Sequence, residues 1–221
     1  MHRRTLLGAL AGAFLLRSVS AREMEKVTVE IDTSDIPDLR PWAEAAEKLI
    51  LEWHPRIENL LSSPGHVTPK KVRLKIRKTD EGVASTSNGR ITVASHWIQK
   101  HPDDIGLIVH ELTHIHQAYP DPNPGWITEG VADYIRWVVY QAKPLEWFPR
   151  NDKPQGYRAS YQTAAGFLLW LETDPAPGIV RKLNTAMRTK TYDAKIFADA
   201  SGGKSLDELW DTYAKARKGG D

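Results

Sequence analysis

Residues 110–114 of this 221-residue chain read His-Glu-Leu-Thr-His. On a helix, His110 and His114 stand one turn apart on one face, so both imidazoles can point at one divalent cation. Glu111 follows the first histidine, where its carboxylate can take a proton from water polarised by that cation. H-E-x-x-H at this spacing is the zinc-and-base core of metallopeptidases. A catalytic zinc takes three protein ligands and keeps one position open. Glu129, 15 residues after His114, is the candidate third ligand. Asp133, four residues further, faces the same way as Glu129. It is the candidate acceptor for the free N–H of a ligand histidine, which would fix that ring's tautomer. Thr128 fits as N-cap of their helix. His116, two residues past His114, leaves the helix on another face and is discounted as a ligand. His54, His66, His96 and His101 lack paired spacing and read as surface or loop residues. The plainer alternatives are an exposed turn with two unrelated histidines and a solvated Glu129/Asp133 face.

These side chains need helices to carry them. Pro102-Asp103-Asp104 reads as a helix start with acids in its first turn. Ile105, Ile108, Leu112 and Ile115 follow as a buried stripe, and Pro120, Pro122 and Pro124 close the segment. Upstream, residues 26–31 alternate as a first strand. Pro41 opens a helix carrying Trp42, Ala45, Ala46, Leu49, Ile50 and Trp53, which Pro55 breaks or kinks. In residues 70–78, Val72, Leu74 and Ile76 alternate with cations, a strand with one face in the core and a solvated basic face. Residues 85–90 carry a turn signal before a strand over 91–94. Residues 140–156, rich in Pro, Trp and charge, predict a long loop walling the cleft. Helices follow over 159–172 and 178–188, and Ser205 with Glu208 forms a capping box for a last helix over 206–216. The order gives an α+β fold: one domain with a small N-terminal sheet, a central His-Glu-x-x-His helix and a helical C-terminal half.

The N-terminus reads differently. His2-Arg3-Arg4, an apolar run over 6–16 and Val19-Ser20-Ala21 have the order of a secretory signal peptide cut after Ala21, leaving 22–221 as the domain. The plainer alternative is a buried N-terminal helix. The run is too short to span a membrane. The chain is therefore expected to be exported, periplasmic or secreted, with no membrane anchor after cleavage. Arg3-Arg4 leaves twin-arginine export open beside the Sec route. Arg3, Arg4 and Arg17 leave with the leader and no acid does, so the formal charge falls from +2 to −1. No global charge then favours nucleic acid as a partner. The absence of cysteine excludes disulfides and a cysteine nucleophile. Stability falls to the core, to which eight tryptophans can contribute, and to bound zinc.

Three blocks, residues 110–117, 129–136 and 161–171, stand in the order found in the basic secretory protein family, zinc peptidases of plants and bacteria that include plant defence proteins. The chain resembles that family over about residues 27–213, and residues 206–213 resemble its C-terminal helix. E-x-x-x-D after H-E-x-x-H is also similar to the thermolysin-like gluzincins. The resemblance implies a zincin-like domain with Zn²⁺ on His110, His114 and Glu129, Asp133 supporting a histidine, and peptide bonds hydrolysed with Glu111 as general base. In zincins the strand before the zinc helix edges the cleft and pairs with extended substrate, a place that falls here to residues 91–94. Ala164 stands where the family carries threonine. Tyr161, from the third block, is the candidate donor to the developing oxyanion, with Tyr157 as alternative. The implied partner is a protein or peptide substrate. The rival readings are another zinc amide hydrolase acting on cell-wall peptide, and a non-catalytic exported binding or defence protein with a relict zinc site.

Overall fold

Period-two alternation in the basic segment builds the middle of a sheet. The computed structural model describes residues 26–218, so the leader read at 1–21 lies outside the described residues. Strands β1 (Thr28–Asp32), β2 (Lys71–Arg77), β3 (Ala84–Ser87) and β4 (Arg90–Ala94) form one sheet in the order β1-β2-β4-β3. β2 is parallel to both neighbours, and β3 is antiparallel to β4. Val72, Leu74 and Ile76 are fully buried on one face of β2. On the other, Lys71 pairs with Glu30 at 2.6 Å and Lys75 with Asp32 at 3.2 Å, cross-strand pairs in solvent that neutralise part of the basic stripe.

Residues 85–90 were expected to be all turn; instead Ser85–Ser87 belong to β3, and only Asn88 and Gly89 turn, both at positive φ. Two successive left-handed residues make the tight hairpin whose twist matches its strands. The hairpin leaves β4 covered on both sides and β3 as the edge. This overturns the expectation that residues 91–94 edge the cleft.

Helix α1 (Arg40–Leu60) buries Ala43, Ala46, Ile50, Trp53, His54 and Ile57 as one stripe. It runs through Pro55 without a break. Pro55 and Leu51, whose carbonyl loses its partner, are both exposed, so the freed acceptor lies on the solvent side of the helix. Ala45 is exposed, and Trp42 and Leu49 are half-buried at the margin of that stripe. His54 is likewise not a surface residue: it is fully buried.

The short α2 (Ser95–Lys100) precedes α3 (Leu107–Gln117), the motif helix. Its start falls later than Pro102-Asp103-Asp104 suggests, because tertiary partners claim Asp104: Trp97 Nε1 donates to it at 3.0 Å and Arg136 pairs with it. α3 ends at Ala118, in the left-handed region at φ 44°. α4 (Gly125–Asp133) begins behind Pro124, so Thr128 is no N-cap; it lies inside the helix and donates to the Pro122 carbonyl at 2.7 Å. A π-helical stretch, Tyr134–Tyr140, continues α4.

The segment after it does not wall the cleft. Phe148 packs against Gly166, and Trp210 and Arg217 donate to the carbonyls of Lys153, Leu145 and Phe148. That segment is clamped onto α5 (Tyr161–Thr173) and α8 (Leu206–Lys218). α6 (Ile179–Arg188) and α7 (Lys195–Ser201) complete the helical half. α8 opens on the expected capping box, with Ser205 N–H donating to Glu208 at 2.8 Å and Glu208 N–H to Ser205 Oγ at 3.3 Å. Of the tryptophans only Trp53, Trp126 and Trp210 are buried, so aliphatic side chains carry most of the core. The fold is α+β in one domain, as the order of elements implied.

Candidate metal centre

α3 sets its two histidines one turn apart, and α4 crosses to bring a carboxylate between them. His110 Nε2 and His114 Nε2 stand 3.1 Å apart, and Glu129 Oε2 lies 3.3 Å from the first and 3.6 Å from the second. Two donors each about 2.0–2.1 Å from a tetrahedral ion stand roughly 3.3 Å apart. The spacing therefore matches three corners of one small coordination polyhedron.

The chemistry of the donors agrees. His110 Nδ1 lies 2.7 Å from Asp133 Oδ1, an acceptor-only carboxylate, so Nδ1 carries the proton. His114 Nδ1 lies 2.7 Å from Gln117 Oε1. The Gln117 amide is oriented by its Nε2, which donates to the Thr128 carbonyl at 2.8 Å. In its neutral form each ring so held offers an Nε2 lone pair inward. Two lone pairs and a carboxylate oxygen then face one another, and one cation satisfies all three.

Electrostatics carry the same preference. Burial pushes the His110 imidazolium down, but Asp133 and Glu129 outweigh it and hold its pKa up at about 9. Burial pushes Glu129 up, but His110 and His114 pull it down to about 2. Asp133 is buried, so its bond to His110 is little screened. The pocket is built to attract positive charge.

Glu111, 7 % exposed, lies beside the histidines. Thr86 Oγ on β3 stands 2.7 Å from Glu111 Oε2 and 3.0 Å from its backbone oxygen. Tyr161, the first residue of α5, is 54 % exposed and lies over the site, its ring 6.2 Å from that of His110 and inclined by 21°. Glu129, then burial and the other acids of the site, push its hydroxyl pKa up, so it stays a donor. Tyr157 is elsewhere: it is buried and donates to Asp207 at 3.1 Å. α4 and α5 approach closely at a small pair, where a Cβ on Gly130 would stand 2.7 Å from the Ala164 Cβ. That closeness sets Glu129 and Tyr161 across one pocket.

The pocket, about 440 Å³, is lined by His110, Glu111, His114, Glu129 and Tyr161 together with Ala84, Ser85 and Thr86 of the edge strand. His116 turns away from it. It is fully buried beside His54, ring centroids 4.4 Å apart, and both its nitrogens lack partners. His66 and His96 are half-buried and His101 is exposed. The structure thus gathers His110, Glu111, His114, Glu129, Asp133 and Tyr161, excludes Tyr157, and adds Thr86 and Gln117. Gln117 had a readable signal, its i, i+3 spacing from His114. Thr86 had none.

A family model described as a peptidase of plants and bacteria matches residues 39–213, a span that contains every residue of the pocket. No curated protein and no solved structure matches the chain.

Proposed function

The chain belongs to the basic secretory protein family, peptidases of plants and bacteria, and we propose that it is an exported zinc metallopeptidase. The observation that carries the reading is the convergence of His110, His114 and Glu129 on one point with Glu111 alongside. A two-nitrogen, one-oxygen set is a zinc donor set of the catalytic kind. Bound zinc supplies Lewis acidity, polarising a scissile carbonyl and bringing the pKa of water from about 15.7 towards about 7.

The chain does the rest. Asp133 and Gln117 hold the ligand rings by their Nδ1 protons. Glu111 takes a proton from the attacking water and passes it to the leaving amine. Tyr161, with its hydroxyl kept protonated, donates to the developing oxyanion. The open edge of β3 pairs with the substrate main chain. Export is supported by the sequence alone, through Arg3-Arg4, the apolar run over 6–16 and Ala21.

A structural zinc site would close with a fourth protein ligand. Among the described residues no fourth His, Cys, Asp or Glu joins the cluster, which counts against a structural zinc site in a non-catalytic protein. The test compares wild type with Glu111→Gln at equal zinc content on casein. Losing the base is expected to lower the rate by about 10²–10⁴-fold. Equal digestion by both proteins ends the reading. Peptidoglycan in the same panel decides the rival substrate class.

A further inference from the structure

Two lobes open from the metal centre, sharing Ala84, His110, Glu111 and Tyr161. The first, already described, passes the C-terminal end of α3 and is polar, with Ser85, Thr86, Gln117 and Thr128 on its walls. The second is larger, about 690 Å³, and passes the N-terminal end of α3. Val83, Leu107, Trp97 and Trp137 line it.

Three acids also face this lobe, and each is engaged. Asp133 holds His110, and Glu111 holds Thr86. Asp104 receives the Trp97 indole N–H at 3.0 Å and pairs with the Arg136 guanidinium. Arg136 is itself fixed, its Cζ 4.0 Å from the centroid of the Trp137 ring. The protein has thus supplied its own counter-ion to Asp104.

Resting on the peptidase reading, we propose that this lobe receives the side chain of a residue flanking the scissile bond, that it selects an apolar and preferably aromatic side chain, and that Arg136 sets the choice by cancelling Asp104. The two indoles offer a ring the faces and edges that aromatic pairs use. A lysine entering the lobe would shed water and meet the Arg136 guanidinium, while each acid there already takes a donor from the protein. An acidic side chain would enter among Glu111, Asp104 and Asp133. The lobe touches Glu111, so the side chain it holds belongs to a residue next to the bond being cut.

The test is cleavage-site mapping by mass spectrometry, with the zinc-loaded full chain acting on a mixed peptide library. Phe, Tyr or Leu is expected at one fixed position beside the cut, favoured over Lys by at least about 10-fold in kcat/KM, the scale on which side-chain pockets discriminate. Arg136→Met should shift the ratio towards Lys by a similar factor, and adding Asp104→Asn should erase that gain. Val83→Glu, at a rim position 38 % exposed, should move the ratio the same way without disturbing the core, should Arg136→Met fail to fold. Cleavage without apolar preference, or a preference unmoved in the folded variants, overturns the proposal. If no peptide is cut, the peptidase reading fails, and the lobe is judged by tryptophan fluorescence with two probes, N-acetylphenylalanine amide and N-acetyllysine amide. Tighter binding of the phenylalanine probe upholds the proposal, and equal or tighter binding of the lysine probe overturns it.

Discussion

At the scale of single residues, the groups beneath the proposed ligands decide as much as those ligands. Asp133 holds the His110 tautomer through a 2.7 Å contact. Asp133→Asn keeps the shape and removes the charge, so zinc affinity should fall by about 10–100-fold, as for other partners of ligand histidines. Competition with a chromophoric chelator measures it, and an unchanged affinity would deny Asp133 that role. Thr86 makes a second case. Its one hydroxyl proton serves Glu111, the proposed base, from the sheet edge. Thr86→Val should lower kcat by about 10-fold, the scale of one hydrogen bond to a charged group, with zinc content and KM retained. Thr86→Ser should restore the rate. His110 with His114, and Glu129 with Asp133, were legible because helical spacing puts each pair on one face, and Glu111 was legible from its place in the motif. Thr86 was not, because 25 residues separate it from Glu111 and only sheet topology closes that gap. His54 was misread for a related reason: unpaired spacing says nothing of burial, and its neighbour His116 lies far along the chain.

At the scale of elements, alternation carried β2, periodicity carried α3, and the capping box carried α8. Strand order did not follow. Which of β3 and β4 takes the edge depends on β2 pairing with β4 rather than with β3, a tertiary choice that neither segment encodes. The proposed mechanism uses that outcome. Ala94 N–H donates to the Val83 carbonyl, so residue 85 also faces β4 and the backbone groups of Ala84 and Thr86 point to the open edge. Ala84 lines both lobes of the site. Ala84→Pro removes an outward N–H while sparing the ladder to β4. If substrate pairs there, KM for peptides should rise about 2–10-fold, the worth of one hydrogen bond, with the melting temperature held. Unchanged KM in a folded variant would move the substrate off this edge.

At the scale of the whole molecule, composition bounded the class of protein but not its response to pH, which depends on which histidines the fold dries out. Burial, with His54, Lys70 and Arg188 nearby, pushes His116 down to about 2. Between pH 6.5 and that value the unfolded chain takes up a proton that the folded chain refuses, so stability falls as pH falls below 6.5. His110 has the opposite sign in metal-free protein. Its pKa rises to about 9, so its contribution is complete below pH 6.5 and is lost as pH rises through 9. Glu129, held near 2, adds a loss on the acid side below its ordinary 4.5. Each group bends the curve by up to about 1.4 kcal/mol per pH unit within its window. Urea unfolding of the metal-free chain should therefore give a stability maximum close to pH 6.5. His116→Phe should flatten the limb between pH 4.5 and 6.5 and spare the alkaline one. Zinc should abolish the alkaline limb instead, because a ligated His110 has no Nε2 proton to lose. An acid limb unchanged in His116→Phe would place the titrating group elsewhere, and an alkaline limb that survives zinc would remove His110 from the metal centre.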